Sequence, residues 1–169
     1  KKFIEFFNDE VPFLETAQGV DTSQFYPVNK LDKLTIRDKL KLPKHKFIIL
    51  SIGYVIERKG YREIFNVLSN FKEDFLYIII GNYSPSNKHY LFSMKNEMQE
   101  IYNYGINLLN DKIIFLGEKS NVNEYLQCSD LFILNSKQEG MPNVFLEAMS
   151  SKIPVIVNKL DGVDGFITI

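Results

Sequence analysis

Cysteine and histidine are scarce in this sequence, which has one cysteine and two histidines among 169 residues. With Cys128 alone, an internal disulfide cannot form and a cysteine-based metal site is excluded. His45 and His89 are predicted to be surface residues rather than metal ligands, and no acidic metal-binding cluster follows a predicted strand. The single cysteine fits a reducing, cytoplasmic compartment best.

Long apolar runs and an excess of either charge are also missing. The longest apolar run, around Phe75–Ile80, has the length of a strand rather than of a membrane span. The formal net charge of −1 argues against a polyanion-binding surface, so nucleic acid is not an expected partner. The lysine-rich stretch from 30 to 46 is interleaved with Asp32, Asp38 and apolar residues, which favours a solvated helix face over a basic patch.

An initiator methionine is missing as well, and the opening residues Lys1–Phe7 are interpreted as the end of something longer. Polar residues soon interrupt the apolar ones there, which is not typical of a signal peptide. With 45% apolar side chains, the chain can fill one core but is too short for two ordinary domains. We therefore expect an excised domain at residues 19–169, with residues 1–18 as the remnant of an interdomain or N-terminal region.

What the sequence does contain is a repeated alternation of strand-like and helix-like segments. Apolar residues recur with the helical period in several segments, as at Tyr61, Ile64, Phe65 and Leu68. This alternation predicts an α/β fold with a Rossmann-like, doubly wound parallel sheet, whose ligand lies beyond the carboxyl ends of the strands. The predicted strands are nearly continuous runs rich in β-branched and aromatic residues: Phe47–Ile52, Phe75–Ile80, Lys112–Leu116, Leu131–Leu134 and Pro154–Val157.

The loop after the first predicted strand combines glycines with cations. Gly53 follows the strand, and Arg58 and Lys59 precede Gly60 and the next helix. Gly53 allows a sharp turn and Gly60 allows the backbone to approach a ligand closely. A helix N-terminus beside two cations suits a diphosphate. The alternative is that the glycines only form turns and the cations are solvated.

The segment after the fourth predicted strand is more informative. Gly140 and Pro142 forbid a helix through the loop, and Asn143 is predicted to be the N-cap of the helix that follows. Glu139 then lies in the loop, and Glu147 lies about one turn inside the helix. Carboxylates accept hydrogen bonds from sugar hydroxyls and backbone N–H groups suit phosphate, so the segment predicts a nucleotide-sugar site. The alternative is that Glu147 only favours the helix dipole and Glu139 is exposed.

This segment resembles the signature of family 4 retaining glycosyltransferases with the GT-B fold. The resemblance lies first in Glu139 and Glu147, which have seven residues between them. Further landmarks follow in the family's order, although Gln18 replaces the usual asparagine before the first of them: Gly19-Val20-Asp21-Thr22, Phe25-Tyr26-Pro27, Ile52-Gly53, Lys59-Gly60, Ile80-Gly81, Phe115-Leu116-Gly117, Ser129-Asp130-Leu131 and Pro154-Val155-Ile156-Val157.

The resemblance implies a role for each matching residue. Lys59 would hold the donor diphosphate, Glu139 would contact the transferred sugar at the catalytic centre, and Glu147 would contact the nucleotide ribose. The family uses nucleotide-diphosphate sugars, UDP or GDP sugars among them, with retention at the anomeric carbon and generally without an essential metal or another cofactor. The remaining donor-binding residues would be Gly53, Arg58, Gly81, Gly140, Met141, Pro142, Asn143 and Val144.

A GT-B enzyme binds its acceptor on an N-terminal domain, so the resemblance implies that the acceptor half lies outside this chain. The expected partners are a nucleotide-diphosphate sugar and, through that missing half, an acceptor glycan or lipid-linked glycan. The pathway would be the synthesis of a cell-surface polysaccharide or glycoconjugate. The full-length hexosyltransferase would be cytoplasmic, with room for peripheral association at the inner face of the membrane. The fragment alone is expected to be inactive.

Three features depart from the family pattern. Tyr54 stands where the family usually carries arginine, and Arg58 would have to compensate for that loss. Lys152 stands where glycine is common, and a left-handed lysine at a helix end would cost on the order of 1 kcal/mol relative to glycine. The stretch after Val157 is shorter than in the family.

Other interpretations of the sequence stay open. Another GT-B enzyme, such as a sugar epimerase or a phosphorylase-like protein, would share the fold, although no lysine stands out as a cofactor residue. A receiver-like signalling domain needs clustered acids at the end of the first strand, which Leu50–Gly53 lacks. A degenerate domain that only binds a partner is compatible with Tyr54.

Overall fold

A computed structural model describes residues 18–83 and 92–160. Expectations for residues 1–17, for His89 and for the tail beyond Leu160 therefore lie outside the described residues. In chain order the elements are α1 (Lys30–Lys39), β1 (Phe47–Ile52), a 3-10 turn (Glu57–Lys59), α2 (Tyr61–Ser69), β2 (Phe75–Ile80), α3 (Phe92–Leu109), a second 3-10 turn (Asn110–Lys112), β3 (Ile113–Gly117), α4 (Val122–Cys128), β4 (Leu131–Leu134), α5 (Asn143–Ser150) and β5 (Val155–Val157).

The described strands form one parallel sheet in the order β3-β2-β1-β4-β5. The chain begins the sheet at β1, runs outward through β2 and β3, and then returns to the other side of β1 for β4 and β5. This order reverses the direction of winding between β1 and β4. The predicted doubly wound α/β class is confirmed, because helices pack against both faces of the sheet.

The two faces of the sheet support two cores because successive strand residues point in opposite directions. Leu50 and Ile78 pack with α4 and α5 on one face. Ile49 and Ile79 pack with α2 and α3 on the other. Every residue of β2 is buried, as expected for a strand covered on both sides.

Three predicted strand boundaries shift by one residue, and one of them is the end of β3, which lies at Gly117 instead of Leu116. β3 begins at Ile113 instead of Lys112, because Lys112 belongs to the 3-10 turn that ends α3. β5 begins at Val155, although the carbonyl of Pro154 still accepts a hydrogen bond from the N–H of Phe132. The other three strands have the predicted bounds.

Most lysines of the stretch from 30 to 46 are exposed, as expected for a solvated helix face, but helix α1 also carries a buried arginine. Arg37 is buried and donates to Asp130 at 2.6 Å, and Lys33 donates to the other carboxylate oxygen of Asp130 at 2.6 Å. Asp130 also accepts the N–H of Ile48 at the start of β1. Burial raises the pKa of Asp130, but these hydrogen bonds outweigh burial and hold the pKa below its usual value. One carboxylate thus joins α1 to the amino-terminal edge of the sheet.

Candidate functional site

The candidate site lies at the carboxyl ends of β1 and β4, where the winding of the sheet reverses. From these neighbouring strands the chain leaves toward opposite faces, through the β1–α2 loop (53–60) and the β4–α5 loop (135–142). In doubly wound sheets the crevice between such diverging loops is the usual ligand position. The two segments that the sequence selects as functional are these two loops.

The two loops are hydrogen-bonded to each other. The N–H of Lys137 donates to the carbonyl of Arg58 at 2.8 Å, and the side-chain amide of Asn135 donates to the carbonyl of Gly60 at 3.0 Å. Gly60 has φ of +66°, and a Cβ there would lie 2.3 Å from the carbonyl oxygen of Asn135. The glycine that the sequence assigns to a close ligand approach is therefore required by the close approach of the other loop.

Lys59 and Glu139, which are 80 residues apart, meet across the crevice. The Lys59 Nζ lies 2.6 Å from Glu139 Oε1, and both side chains are only 14% exposed. Arg58 approaches the same oxygen at 3.2 Å and also donates to the carbonyl of Gln138. Lys59 and Glu139 thus form a partly desolvated ion pair, in which charges interact more strongly than in water, whereas the Arg58 side chain is 47% exposed.

The charge state of Glu139 follows from this neighbourhood. Burial raises the pKa of the Glu139 carboxyl, but the hydrogen bond and charge of Lys59, with Ser136 and Arg58, outweigh burial and hold the pKa below its usual value. Glu139 is thus ionised at neutral pH. The Ser136 hydroxyl is fully buried and makes no hydrogen bond of good geometry with the described residues, although it lies close enough to affect Glu139.

Gly53 and Gly81 serve the packing of the crevice wall. A Cβ on Gly53 would lie 3.0 Å from Lys59 Cε and 3.2 Å from its Nζ, so the missing side chain gives Lys59 its place. A Cβ on Gly81 would lie 2.2 Å from the carbonyl oxygen of Gly53. The backbones at the ends of β1 and β2 are therefore in direct contact, and the structure explains Gly81 without a ligand.

The start of α5 differs from the prediction at one residue. Pro142, with extended backbone, occupies the N-cap position, and Asn143 is the first helical residue. The predicted N-cap role of Asn143 is wrong, because the backbone of Asn143 is already helical and Pro142 is the last residue before the helix. No side chain caps this end. The first N–H groups of an α-helix have no intrahelical acceptor, and those of α5 lie at the positive end of the helix dipole.

The other residues predicted in this loop differ in exposure. Gly140 and Asn143 are exposed, Met141 and Val144 are half-buried, and Pro142 is buried. The exposed N-terminal residues of α5 are accessible to a solute. Pro142 and Met141 instead contribute to packing, and Met141 lies against the core shared by α4 and α5.

Glu147 stands apart from the Lys59–Glu139 pair. Its side chain is half-buried, and its carboxylate makes no hydrogen bond or ion pair with any described residue. Burial raises the pKa of Glu147 above its usual value. A carboxylate that is partly removed from water without a partner is costly for the empty protein, and it is available to ligand hydroxyl groups.

Several residues at this site were missed by the sequence-based prediction. Asn135, Ser136 and Gln138 lie in a segment that the sequence selects, but nothing local distinguishes them from other polar loop residues. Glu97 of α3 accepts the backbone N–H of Glu57 at the start of the 3-10 turn. These residues are 40 positions apart, so no short sequence pattern could reveal the contact.

The structure also places Tyr54, which stands where the resembled family usually has arginine. Tyr54 is 44% exposed and directly follows Gly53 at the start of the β1–α2 loop.

No group of three or more possible metal ligands occurs in the described ranges, and His45 is exposed there. Among the same residues no helix is both long and apolar enough to cross a membrane.

Comparisons with known proteins give a consistent set of relatives. The family described as Glycosyl transferases group 1 matches residues 32–168. Among curated proteins, an Escherichia coli UDP-Gal:alpha-D-GlcNAc-diphosphoundecaprenol alpha-1,3-galactosyltransferase is 31% identical over 162 residues, which cover 94% of this chain and 39% of the relative. The chain thus spans about two fifths of the length of that relative.

Solved structures of glycosyltransferases share the fold. The C-terminal domain of a Francisella tularensis glycosyl transferase group 1 family protein, LpcC, is 28% identical with a TM-score of 0.65, covering 89% of this chain and 75% of that one. Anabaena HepE in complex with UDP and glucose is 20% identical with a TM-score of 0.75, covering 89% of this chain and 39% of that one. The five-stranded α/β domain described above is therefore the fold found in GT-B glycosyltransferases.

Proposed function

Because the chain belongs to the glycosyl transferases group 1 family, we propose that it is the nucleotide-diphosphate-sugar-binding domain of a retaining glycosyltransferase of family 4. The observation that carries this proposal is the meeting of Lys59, Arg58 and Glu139 where the sheet reverses its winding. Cations suit the diphosphate of a donor, and a carboxylate suits the hydroxyl groups of its sugar. HepE, with the same fold, was crystallised with UDP and glucose.

The proposed donor position follows from the charges. The diphosphate would lie between Lys59, Arg58 and the uncapped N-terminus of α5, with the backbone around Gly140 and Asn143 within reach. These groups would stabilise the negative charge that develops on the diphosphate as the sugar leaves, in place of a metal ion. Such a preorganised set can contribute several kcal/mol to transition-state stabilisation.

Glu139 is proposed to act on the sugar. Its carboxylate is ionised and fixed by Lys59, so it can accept hydrogen bonds from sugar hydroxyls and stabilise positive charge that develops at the anomeric carbon. A donor diphosphate would compete for Lys59 and thereby free Glu139 for the sugar. Sugar and diphosphate binding would then be coupled through this ion pair.

Glu147 is proposed to bind the ribose of the nucleotide. Its half-buried carboxylate has no partner among the described residues, and two adjacent ribose hydroxyls would supply the missing donors. The cost of leaving this carboxylate without a partner in the empty site would be recovered when the nucleotide binds.

We propose that a longer parent protein contains the domain that binds the acceptor. Since the chain spans about two fifths of the Escherichia coli relative, the acceptor site would lie on an additional N-terminal domain. That relative is named for a diphosphoundecaprenol-linked acceptor, which supports a lipid-linked or other surface glycan as acceptor here. The parent would be a cytoplasmic hexosyltransferase that works in surface-glycan synthesis near the membrane, and the present chain would bind donor without transferring sugar.

The first experiment is a thermal-shift and calorimetric screen with UDP, GDP and ADP and their sugar derivatives. One nucleoside diphosphate should stabilise the chain, and Lys59→Ala should weaken its binding about 10-fold while changing the affinity for the nucleoside less than twofold. Glu147→Gln should weaken nucleoside and nucleoside diphosphate alike. No stabilisation by any of these ligands at millimolar concentration would contradict donor binding.

Matched controls separate the site from general charge effects. Lys72→Ala and Glu73→Gln remove the same charges from exposed residues before β2, at the opposite edge of the sheet. Both should leave nucleotide affinity unchanged. Equal affinities in wild type, Lys59→Ala and Glu147→Gln would overturn the site assignment.

An exposed Tyr54 in place of the family's arginine favours a second candidate function, a non-catalytic binding module. The absence of any nucleotide binding would support this second candidate.

A further inference from the structure

We infer that Glu97, in the second turn of α3, is a positioning residue for Lys59. This inference rests on the proposed function of the β1–α2 loop and adds a residue outside both loops. The contact of Glu97 is with the backbone of Glu57 and not with the side chain of Arg58, Lys59 or Glu139. It acts through the backbone of the 3-10 turn Glu57–Lys59 that carries the two cations.

The turn needs an acceptor at its start. The first N–H groups of a helical turn have no partner within the turn, and the N-cap residue Ile56 provides no side-chain hydrogen bond. The half-buried carboxylate of Glu97 accepts the N–H of Glu57 at 2.5 Å. A hydrogen bond from a backbone N–H to a carboxylate is stronger than one between neutral groups. The cap for this turn therefore comes from another helix.

The other end of the turn is held by the β4–α5 loop. The carbonyl of Arg58 accepts the N–H of Lys137 at 2.8 Å, and the carbonyl of Gly60 accepts the amide of Asn135 at 3.0 Å. Of these three hydrogen bonds, two come from the β4–α5 loop and the third comes from Glu97 on α3. With contacts at both ends, the turn keeps Lys59 over Gly53 and within 2.6 Å of Glu139.

A second link joins the turn to the same helix but follows a different route. Arg62 pairs with the side chain of Glu57 at 2.5 Å and lies 3.6 Å from Glu100. Glu100 is one turn further along α3 and is 72% exposed. It makes no contact with the backbone of the turn, so Glu100→Ala is a matched control on the same helix.

The test compares the binding of UDP with that of uridine by calorimetry, using GDP or ADP with its nucleoside if the screen selects one of these. Glu97→Ala should weaken UDP binding about 3- to 10-fold and change uridine binding less than twofold, because only the diphosphate depends on Lys59. Glu97→Gln keeps an acceptor oxygen and should restore most of the affinity. Glu100→Ala should behave as wild type. If Glu97→Ala does not fold, Glu97→Met keeps the side-chain length and removes the acceptor.

A double-mutant cycle separates positioning from general stabilisation. In the Lys59→Ala background, Glu97→Ala should weaken UDP binding less than twofold further, because its effect passes through Lys59. Unchanged UDP affinity in Glu97→Ala while Lys59→Ala loses affinity would overturn the inference and leave the proposed function standing. Equal losses for uridine and UDP, or additive losses in the double variant, would also overturn it. If Lys59→Ala itself has no effect, or no nucleotide binds, the proposed function fails and this inference fails with it.

Discussion

Lys152 holds a backbone conformation that glycine adopts more easily. Its φ is +54°, directly after the last residues of α5, and the sequence resemblance places a glycine at this position. The expectation of a left-handed lysine is confirmed. A side chain in this conformation costs about 1 kcal/mol. Glycine would remove this cost, but its larger loss of entropy on folding would cancel part of the gain.

Lys152→Gly should therefore raise the free energy of unfolding by about 0.5–1 kcal/mol. Urea denaturation at neutral pH measures the change. Lys72→Gly serves as the control, because Lys72 is an exposed loop residue without positive φ, and there glycine should lower stability. A loss of stability in Lys152→Gly of the size seen in the control would contradict the strain argument.

Glu147 gives a second prediction at the scale of one residue, concerning pH. Burial raises the pKa of Glu147 above 4.5 in the folded protein, so the native state holds this proton more tightly than the unfolded state. The stability that protonation contributes is complete below about 4.5 and is lost as the pH rises through the folded pKa. Glu147 thus lowers stability at neutral pH.

Glu147→Gln should accordingly make the nucleotide-free protein more stable than wild type at pH 7, with a difference that shrinks as the pH falls through the raised folded pKa toward about 4.5. Thermal unfolding from pH 4 to pH 8 measures this trend. The control Glu73→Gln removes the same charge from an exposed residue and should change stability at pH 7 by less than about 0.5 kcal/mol. Since the same variant should bind nucleotide less well, a gain of stability with a loss of affinity identifies a residue kept for binding. A constant stability difference across this pH range would exclude the burial explanation.

Sequence alone could select Lys59, Glu139 and Glu147, because each of them belongs to a short segment with a recognisable pattern. It could not show that Lys59 and Glu139 form an ion pair, since these residues are 80 positions apart. It also assigned Gly60 to a ligand, whereas the carbonyl of Asn135 occupies the space beside it. Backbone contacts between distant loops leave no local signal.

Helix α3 shows the same division at the scale of an element. Its apolar period predicts a helix, but the role of Gly105 within it depends on packing. A Cβ there would lie 2.8 Å from a ring carbon of Phe65 on α2 and 3.3 Å from a methyl of Ile113. The glycine lets α3 approach α2 and the sheet closely, despite its low helix propensity.

Gly105→Ala should lower the free energy of unfolding by about 1–3 kcal/mol, because overpacking outweighs the gain of about 1 kcal/mol in helix propensity. Chemical denaturation measures the loss. Asn107→Ala on the exposed side of the same helix should instead stabilise slightly. Stabilisation by both substitutions would mean that α3 does not pack as closely as described.

The limits of the elements were predictable to about one residue where local chemistry decides them. Continuous apolar runs defined β1, β2 and β4 with the bounds that the structure has. The start of α5 was misplaced because both Pro142 and Asn143 are acceptable at a helix start, and local preference does not choose between them. The burial of Arg37 in α1 was missed because its partner Asp130 is 93 residues away.

At the scale of the whole molecule, the proposed donor site would use the cations Arg58 and Lys59 in place of a metal ion. UDP, or the nucleotide that the screen selects, at about 100 times its Kd should stabilise the chain by about 2.7 kcal/mol and raise Tm by roughly 5–10 °C. Because Arg58, Lys59 and the N-terminus of α5 would bind the diphosphate, added EDTA should change this shift by less than about 1 °C.

Differential scanning fluorimetry with and without EDTA measures both effects on one sample. Addition of magnesium after EDTA provides the matched control and should not increase the shift. Loss of the shift in EDTA with recovery on magnesium would contradict a metal-independent site. It would leave nucleotide binding itself intact.

The sequence by itself determined the fold class, most strand limits and the two loops that carry the candidate site. It could do so because apolar periodicity, glycine and proline act locally, and because the order of the motifs along the chain resembles one family. Only the tertiary structure decided which residues meet: Lys59 with Glu139, Asn135 with Gly60, Asp130 with Arg37, and Glu97 with the backbone of Glu57. These contacts depend on strand order and helix packing, which bring together residues that are distant in the sequence. The pair that marks the proposed donor site exists because β4 returns to lie beside β1.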